Sequence, residues 1–375
     1  MSEKFKAGEY KQCYEYKSFI PSLINKELEW HTPQISILLE EANKLIGELN
    51  AYSHLVPDID FFIHMHVAKE ATTSSRIEGT RTTIDEALAS VENIAPEKRD
   101  DWEEVKNYTK ALNFAIEELK ELPLSMRLLK EVHKVLLAGV RGKNKCPGEV
   151  RKTQNWIGGA TLQSAFFIPP EPNELSGLLT DLENFLYNET LEIPHLIKAA
   201  TAHYQFETIH PFLDGNGRVG RLLIIIYFIE KGLLDKPVLY LSDFFDKNRE
   251  SYYESLSMVR ALNSLDQWIR FFLTGIIETS KSSIETFNKI KELRAVCEEK
   301  VKSLGKKSKT RLELLDYLYS NPNITVKTVE ENFSLSTPAS NKLISEFIEL
   351  GVLQEKTGFK RNRYFVFEDY LNIFR

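Results

Sequence analysis

The segment His210-Pro-Phe-Leu-Asp-Gly-Asn-Gly-Arg-Val-Gly-Arg221 runs straight into Leu222–Ile229, the most apolar stretch of the chain. That stretch is far shorter than the roughly 20 residues a helix needs to span a bilayer, so it reads as a helix buried in a protein core. The expected helix covers Arg221–Lys231, and the polar segment just before it lies at the helix mouth. There the first backbone N–H groups have no intrahelical partner.

A base, a carboxylate, an amide, glycines and two guanidinium groups packed this tightly indicate a site. Glycine lets the backbone approach a ligand closely, the Asn216 amide can donate, and Arg218 and Arg221 can fork onto phosphate oxygens. Anions are stabilised at helix N-termini, which makes phosphate the natural ligand. Asp214 is the acceptor among donors, and Mg²⁺ held by one carboxylate plus phosphates gives it a partner. A neutral histidine with an ordinary pKa of about 6.5 can take a hydroxyl proton at cellular pH, which suits His210.

Two other motifs overlap this segment and fail on context. A calcium loop needs an oxygen ligand, a glycine and a glutamate where this chain has Arg218, Val219 and Ile225. The dinucleotide fingerprint needs a strand directly before Gly215, whereas a helix precedes it and Pro211 interrupts. His64 and His66 lie two apart on a helical segment and so face different ways, which argues against a metal pair. His133 and His203 read as structural histidines on helical faces.

At 375 residues the chain is long enough for two or three domains. Its 42% hydrophobic and 27% charged residues are ordinary for a folded soluble protein. A net charge of -6 and a pI near 5.9 argue against holding nucleic acid by bulk electrostatics. Cys13, Cys146 and Cys297 are widely spaced, so neither a disulfide framework nor a zinc site is expected, and a reducing cytoplasm fits. The first residues lack the apolar core of a signal peptide, and no membrane association is expected.

Apolar residues at three- and four-residue steps predict helices over Leu38–Asn50, Ile59–Glu78, Asp101–Leu119, Ser125–Leu137, Glu174–Tyr187 and Pro194–Glu207. Gly79 can cap the second, and Thr83 with Glu86 forms a capping box that opens Ile84–Val91. Gly139–Pro172 is glycine- and proline-rich and reads as hairpin or loop. A long helix is expected near Ile277–Lys302, then a polar linker from Gly305. Helices at Thr310–Ser320, Val326–Phe333 and Thr337–Leu350, followed by strands at Val352–Glu355 and Arg363–Phe367, predict a helix-turn-helix with a β wing. Lys356, Lys360 and Arg361 with Arg363 around Gly358 make DNA a partner to consider, although the would-be recognition helix carries Glu346 and Glu349 beside Lys342.

The segment from His210 to Arg221 matches HxFx(D/E)GNGRxxR at every defined position, and the chain is therefore identified as resembling the Fic family. The resemblance implies a mainly α fold: a Fic-type helical core over 101–304 with a β-hairpin flap, preceded by a helical N-terminal region over 1–100 and followed by a small winged-helix domain over 305–375. It implies transfer of AMP from ATP to a Ser, Thr or Tyr hydroxyl of a protein target. His210 would be the base and Asp214 would hold Mg²⁺. Gly215, Asn216, Gly217, Arg218, Val219, Gly220 and Arg221 would contact the nucleotide, the two arginines on its outer phosphates. Related kinases of the Doc type carry Lys where Gly217 stands, so adenylyl rather than phosphoryl transfer is implied.

Upstream, Ser74-Ser-Arg-Ile-Glu78-Gly79 resembles the family's inhibitory pattern (S/T)xxxE(G/N). This implies that Ser74, Glu78 and Gly79 belong to an inhibitory helix, with Glu78 on Arg221. Thr153–Pro169 resembles the target-aligning flap, and Tyr240, Asn248 and Tyr252 occupy places where relatives contact the nucleoside. Relatives with this domain order imply a homodimer. The alternatives are a DNA-binding winged-helix regulator and a Fic enzyme that mainly removes AMP.

Overall fold

A computed structural model describes residues 5–55, 59–89, 91, 94–305, 308–356 and 363–375. The N-terminal region, expected to be helical, opens instead with an antiparallel hairpin of β1 (Gly8–Gln12) and β2 (Lys17–Pro21). Tyr10, Phe19 and Ile20 are residue types that strands favour. Phe19 is 1% exposed, and its N–H reaches the Ile168 carbonyl at 2.9 Å, so the hairpin is tied to the glycine- and proline-rich region rather than standing alone.

Three helices follow, α1 (Pro33–Leu55), α2 (Ile59–Ile77) and α3 (Ile84–Leu88). Helix α2 stops because Gly79 takes φ 104°, a conformation that side chains with a Cβ avoid. The predicted Thr83–Glu86 capping box is present, and α3 ends at Leu88, earlier than expected. Then come α4 (Arg99–Glu118), α5 (Met126–Leu136) with Ser125 as its N-cap, and α6 (Leu175–Tyr187).

The centre of the fold is a pair of packed helices, α7 (His195–Ile209) and α8 (Asn216–Glu230). Nearly every residue of both is buried, as expected of helices that are apolar on all sides. Helix α8 begins at Asn216, well before the expected start at Arg221, so half of the polar segment lies on its first turns. Helices α9 (Ser242–Lys247), α10 (Arg249–Leu262) and the long α11 (Asp266–Ser303) complete this part, with α1 packed along α11.

The C-terminal part runs α12 (Ser308–Ser320), β3 (Asn323–Thr325), α13 (Val326–Phe333), α14 (Thr337–Glu349), β4 (Gln354–Glu355), β5 (Tyr364–Val366) and α15 (Glu368–Asn372). Its antiparallel sheet has the order β3-β5-β4, and β3 and α15 were not anticipated. Helix α12 contacts α11 and α2, and Phe374, 2% exposed, meets the His66 ring edge-on at 5.3 Å. Arg311 pairs with Glu346 at 2.8 Å, Lys356 with Glu368 at 2.8 Å and Arg363 with Glu355 at 2.5 Å, so these cations are engaged within the unit. Gly358, Lys360 and Arg361 of the wing lie outside the described residues. Among the described residues no helix is long and apolar enough to cross a membrane.

Candidate active site

The site is the hinge between α7 and α8. Helix α7 ends on His210, whose φ of 50° and ψ of 60° are left-handed and whose N–H still bonds the Phe206 carbonyl at 2.9 Å. That conformation costs a non-glycine residue about 1–2 kcal/mol, so the surroundings must enforce it. Pro211 cannot continue the helix. Phe212, wholly buried, stacks on the His133 ring at 3.9 Å and anchors the turn.

The loop closes on Asn216. Its side chain accepts from the Phe212 N–H at 2.8 Å and donates to the Phe212 carbonyl at 2.8 Å. The Asn216 amide, expected to donate to a phosphate, is thus committed to the loop, and what α8 offers an anion is its backbone. Gly215 precedes α8 at φ 77°, where a Cβ would be strained. His133 also holds the loop: its Nδ1 accepts from the Gly148 N–H at 2.9 Å, so Nε2 donates to the Asp214 carbonyl at 3.0 Å. Both ring nitrogens are used, as expected of a structural histidine, and burial pushes its pKa down to about 4.

Asp214 has a side chain 42% exposed, with Oδ1 accepting from the Gly215 N–H at 2.6 Å. Oδ2 has no partner among the described residues. His210 is half-buried at the rim, and desolvation of its ring holds the pKa down at about 4, so the imidazole is neutral at neutral pH.

The two arginines are already partnered. Arg221, its side chain 2% exposed, donates from Nε to Ser74 Oγ at 2.8 Å and from Nη2 to the Ser74 carbonyl at 2.9 Å and to Glu78 Oε1 at 2.7 Å. Packing pushes the Glu78 carboxyl up, but the Arg221 charge and hydrogen bond outweigh this and hold its pKa below the usual carboxylate range. The same carboxylate lies over the first turn of α8, since a Cβ on Gly217 would fall 2.2 Å from Glu78 Oε1. A carboxylate therefore occupies the place where a helix mouth and a guanidinium would receive an anion. Arg218, expected on the outer phosphates, is turned inward: its side chain is 4% exposed, Nη1 bonds Glu104 Oε2 at 3.1 Å, and Nη2 lies 3.7 Å from Asp214 Oδ1.

Other expected ligand residues are not brought to the helix mouth. Val219 is fully buried in the core. Gly220 packs against Glu207, whose Oε1 would lie 2.2 Å from an added Cβ, and its carbonyl accepts from His203 Nδ1 at 2.9 Å. The helical repeat points these two positions inward once α8 starts at Asn216. Tyr240 donates to the Pro237 carbonyl at 2.6 Å and lies against His66, while Asn248 bridges α9 and α10 with its amide on the Phe244 carbonyl at 2.9 Å. Tyr252 donates its hydroxyl to His203 Nε2 at 2.8 Å and is 1% exposed. His64 is exposed and His66 buried, as their spacing implies.

The expected flap is held by little strand pairing, a single bridge between Ile157 and Phe167. Trp156 and Phe166 stand exposed on it, at 39% and 75%. Sequence reasoning missed Glu104, Arg151, Asn155 and Glu207, which reach the site from α4, the flap neck and α7. Glu207 is the most perturbed of them: burial pushes its pKa up to about 8, so it is protonated at neutral pH.

The geometry is that of a helix entrance on a helical scaffold, with a neutral imidazole at its rim and an ion pair across it. Residues 37–117 match the Fic/DOC family N-terminal model, and residues 123–228 match the Fic/DOC family model. The chain belongs to the Fic/DOC family. It is 26% identical over 272 residues to a probable protein adenylyltransferase of Aquifex aeolicus, covering 68% of this chain and 82% of that one. It is 27% identical over 251 residues to the protein adenylyltransferase Fic of Drosophila grimshawi, covering 66% and 47%, so it spans about half the length of that relative. Among solved structures, a Fic family protein from Desulfovibrio desulfuricans superposes with a TM-score of 0.58 at 19% identity, over 91% of this chain and 98% of that one. Fic-1 from C. elegans superposes with a TM-score of 0.53 at 23% identity, over 68% of this chain and 74% of that one. At these identities the likeness establishes the fold.

Proposed function

We propose that this protein is a protein adenylyltransferase that moves AMP from ATP to a Ser, Thr or Tyr hydroxyl of a protein target. The observation that carries the reading is the left-handed His210, neutral and half-buried, at the rim of the glycine-lined entrance to α8. The His210 imidazole accepts the hydroxyl proton as the oxygen attacks the α-phosphorus. The bond from the α-phosphorus to the bridging oxygen breaks, and pyrophosphate leaves. The first N–H groups of α8 cradle the phosphates, and Gly217 keeps that approach open. Asp214, half-exposed with one carboxylate oxygen unpartnered, suits Mg²⁺, which supplies charge neutralisation on the phosphates when bound. Arg218, braced by Glu104, steadies Asp214, and Arg221 is left to meet the outer phosphates.

In this reading Glu78 is autoinhibitory. Its carboxylate holds Arg221 and covers Gly217, so the outer phosphates and Glu78 compete for the same guanidinium. The inhibitory helix would belong to a region over 1–100, the catalytic core to 101–304 and the winged helix to 305–375. The test is incubation with ATP and Mg²⁺ followed by intact-mass spectrometry of wild type and His210→Ala. An added AMP on the first and none on the second supports the reading. Equal incorporation by both overturns it.

A further inference from the structure

Arg151 is 3% exposed, and among the described residues no carboxylate pairs with it. Its guanidinium bonds only to backbone carbonyls. Nε donates to His210 O at 2.9 Å, Nη2 to Pro170 O at 2.5 Å and to Ile209 O at 3.4 Å, and Nη1 to Thr153 O at 3.2 Å. Its own N–H donates to Pro211 O at 2.9 Å. Three consecutive carbonyls at the end of α7, those of Ile209, His210 and Pro211, therefore end on one residue. Such carbonyls have no helical partner, and the negative end of the helix dipole favours a cation beside them. The remaining two bonds reach the two legs of the flap, at Thr153 and Pro170. Asn155, two residues into the flap, adds a second donor to His210 O at 3.3 Å and another to Phe212 O at 2.9 Å. Gln154 closes the neck by donating to Pro169 O at 3.0 Å.

We propose that Arg151 is the positioning residue of this site, holding the left-handed His210 at the end of α7 and both legs of the flap in one frame, so that one guanidinium sets the base relative to the incoming hydroxyl. This rests on the adenylyltransferase reading. It follows from the geometry that an arginine is needed: the donors of a planar fork reach carbonyls on three sides, whereas a lysine ammonium on a single stem cannot span them. Burial lowers the Arg151 pKa only to about 10, so the cation persists at neutral pH, and its charge adds to the desolvation that keeps the His210 ring neutral.

The experiment uses the full chain carrying Glu78→Gly and follows self-modification with α-labelled ATP and Mg²⁺. Arg151→Lys and Arg151→Gln are made in that background, with circular dichroism and thermal unfolding to score folding. A misplaced base predicts a rate lower by about 100-fold. Affinity for a fluorescent ATP analogue should stay within about twofold, because Arg151 does not touch the helix mouth. For Arg151→Gln the acid limb of the pH–rate profile should move upward, since a cation near the imidazole is removed, and methylguanidinium in the buffer should restore part of the rate to a further variant, Arg151→Ala. Should the Arg151 variants fail to fold, Asn155→Ala removes the second donor to His210 O from a half-buried position and should lower the rate by about tenfold, again at unchanged nucleotide affinity. Folded Arg151→Lys, Arg151→Gln or Asn155→Ala protein that self-modifies at the parent rate overturns the proposal. If the Glu78→Gly parent itself incorporates no AMP, the adenylyltransferase reading has failed before Arg151 is touched, and the proposal falls with it.

Discussion

Replacing Glu78 with glycine removes the carboxylate that sits 2.7 Å from Arg221 Nη2. A hydrogen bond to a charged group contributes about 1.5–3 kcal/mol. The Glu78 side chain is 34% exposed, so solvent screening reduces this to about 1–2 kcal/mol. If that energy favours the closed arrangement over one in which Arg221 binds the outer phosphates, its loss raises nucleotide occupancy about 5- to 30-fold at ATP below saturation, since each 1.4 kcal/mol is tenfold. Adenylylation should rise by the same factor, read as label transferred from α-labelled ATP. Glu78→Gln keeps the shape and one acceptor but loses the charge, and should give an increase of about threefold. A folded Glu78→Gly protein that incorporates label no faster than wild type, and binds ATP no tighter, would refute the competition between carboxylate and phosphate.

Glu104→Ala leaves the buried Arg218 with only the more distant Asp214 carboxylate, and breaking the buried pair from one side should lower the unfolding free energy by up to about 3–5 kcal/mol, measured by urea denaturation. Glu207 has its pKa raised to about 8, above its unfolded value, so the folded state binds the extra proton and loses stability as pH rises from the ordinary carboxylate range toward 8. Glu207→Gln should therefore match wild type at pH near 5 and exceed it by about 1 kcal/mol or more at pH near 8; equal thermal midpoints at both would sink this account. His210 has a depressed pKa of about 4 with Glu78 beside it, and loss of that carboxylate lowers it further, so kcat/KM of the Glu78→Gly protein should stay level well below the ordinary histidine range. An acid limb centred near 6.5 would show that the ring is not desolvated as described.

Much of this fold is legible in local pattern. The helices from α1 to α7, the Thr83–Glu86 capping box, Gly79 at the end of α2 and the helix order of the C-terminal part follow from periodicity and cap chemistry, which act within a few residues. The start of α8 did not. Gly215, Gly217 and Gly220 read as loop, but burial of α8 outweighs their weak helix propensity and lets the helix begin at Asn216. That change of register is why Val219 and Gly220 face the core and not a ligand. The β1–β2 hairpin was missed for a related reason: two short strands have little signal of their own and are held by the Ile168 carbonyl, a partner far along the chain.

What the amino-acid order determined by itself was the inventory and its spacing: a base, a carboxylate and two arginines gathered at the mouth of a buried helix, and an upstream glutamate beside a helix-ending glycine. Within each of these two groups the residues lie close in the chain, so covalent geometry alone keeps each group together. Only the tertiary structure decided which groups face each other. Packing of α2 and α4 against α8 gave Arg221 to Glu78 and Ser74 and gave Arg218 to Glu104, and the fold of the flap neck brought Arg151 to the carbonyls of the turn at His210. A buried guanidinium must find acceptors somewhere, but sequence says only that the need exists, while packing chooses the acceptor.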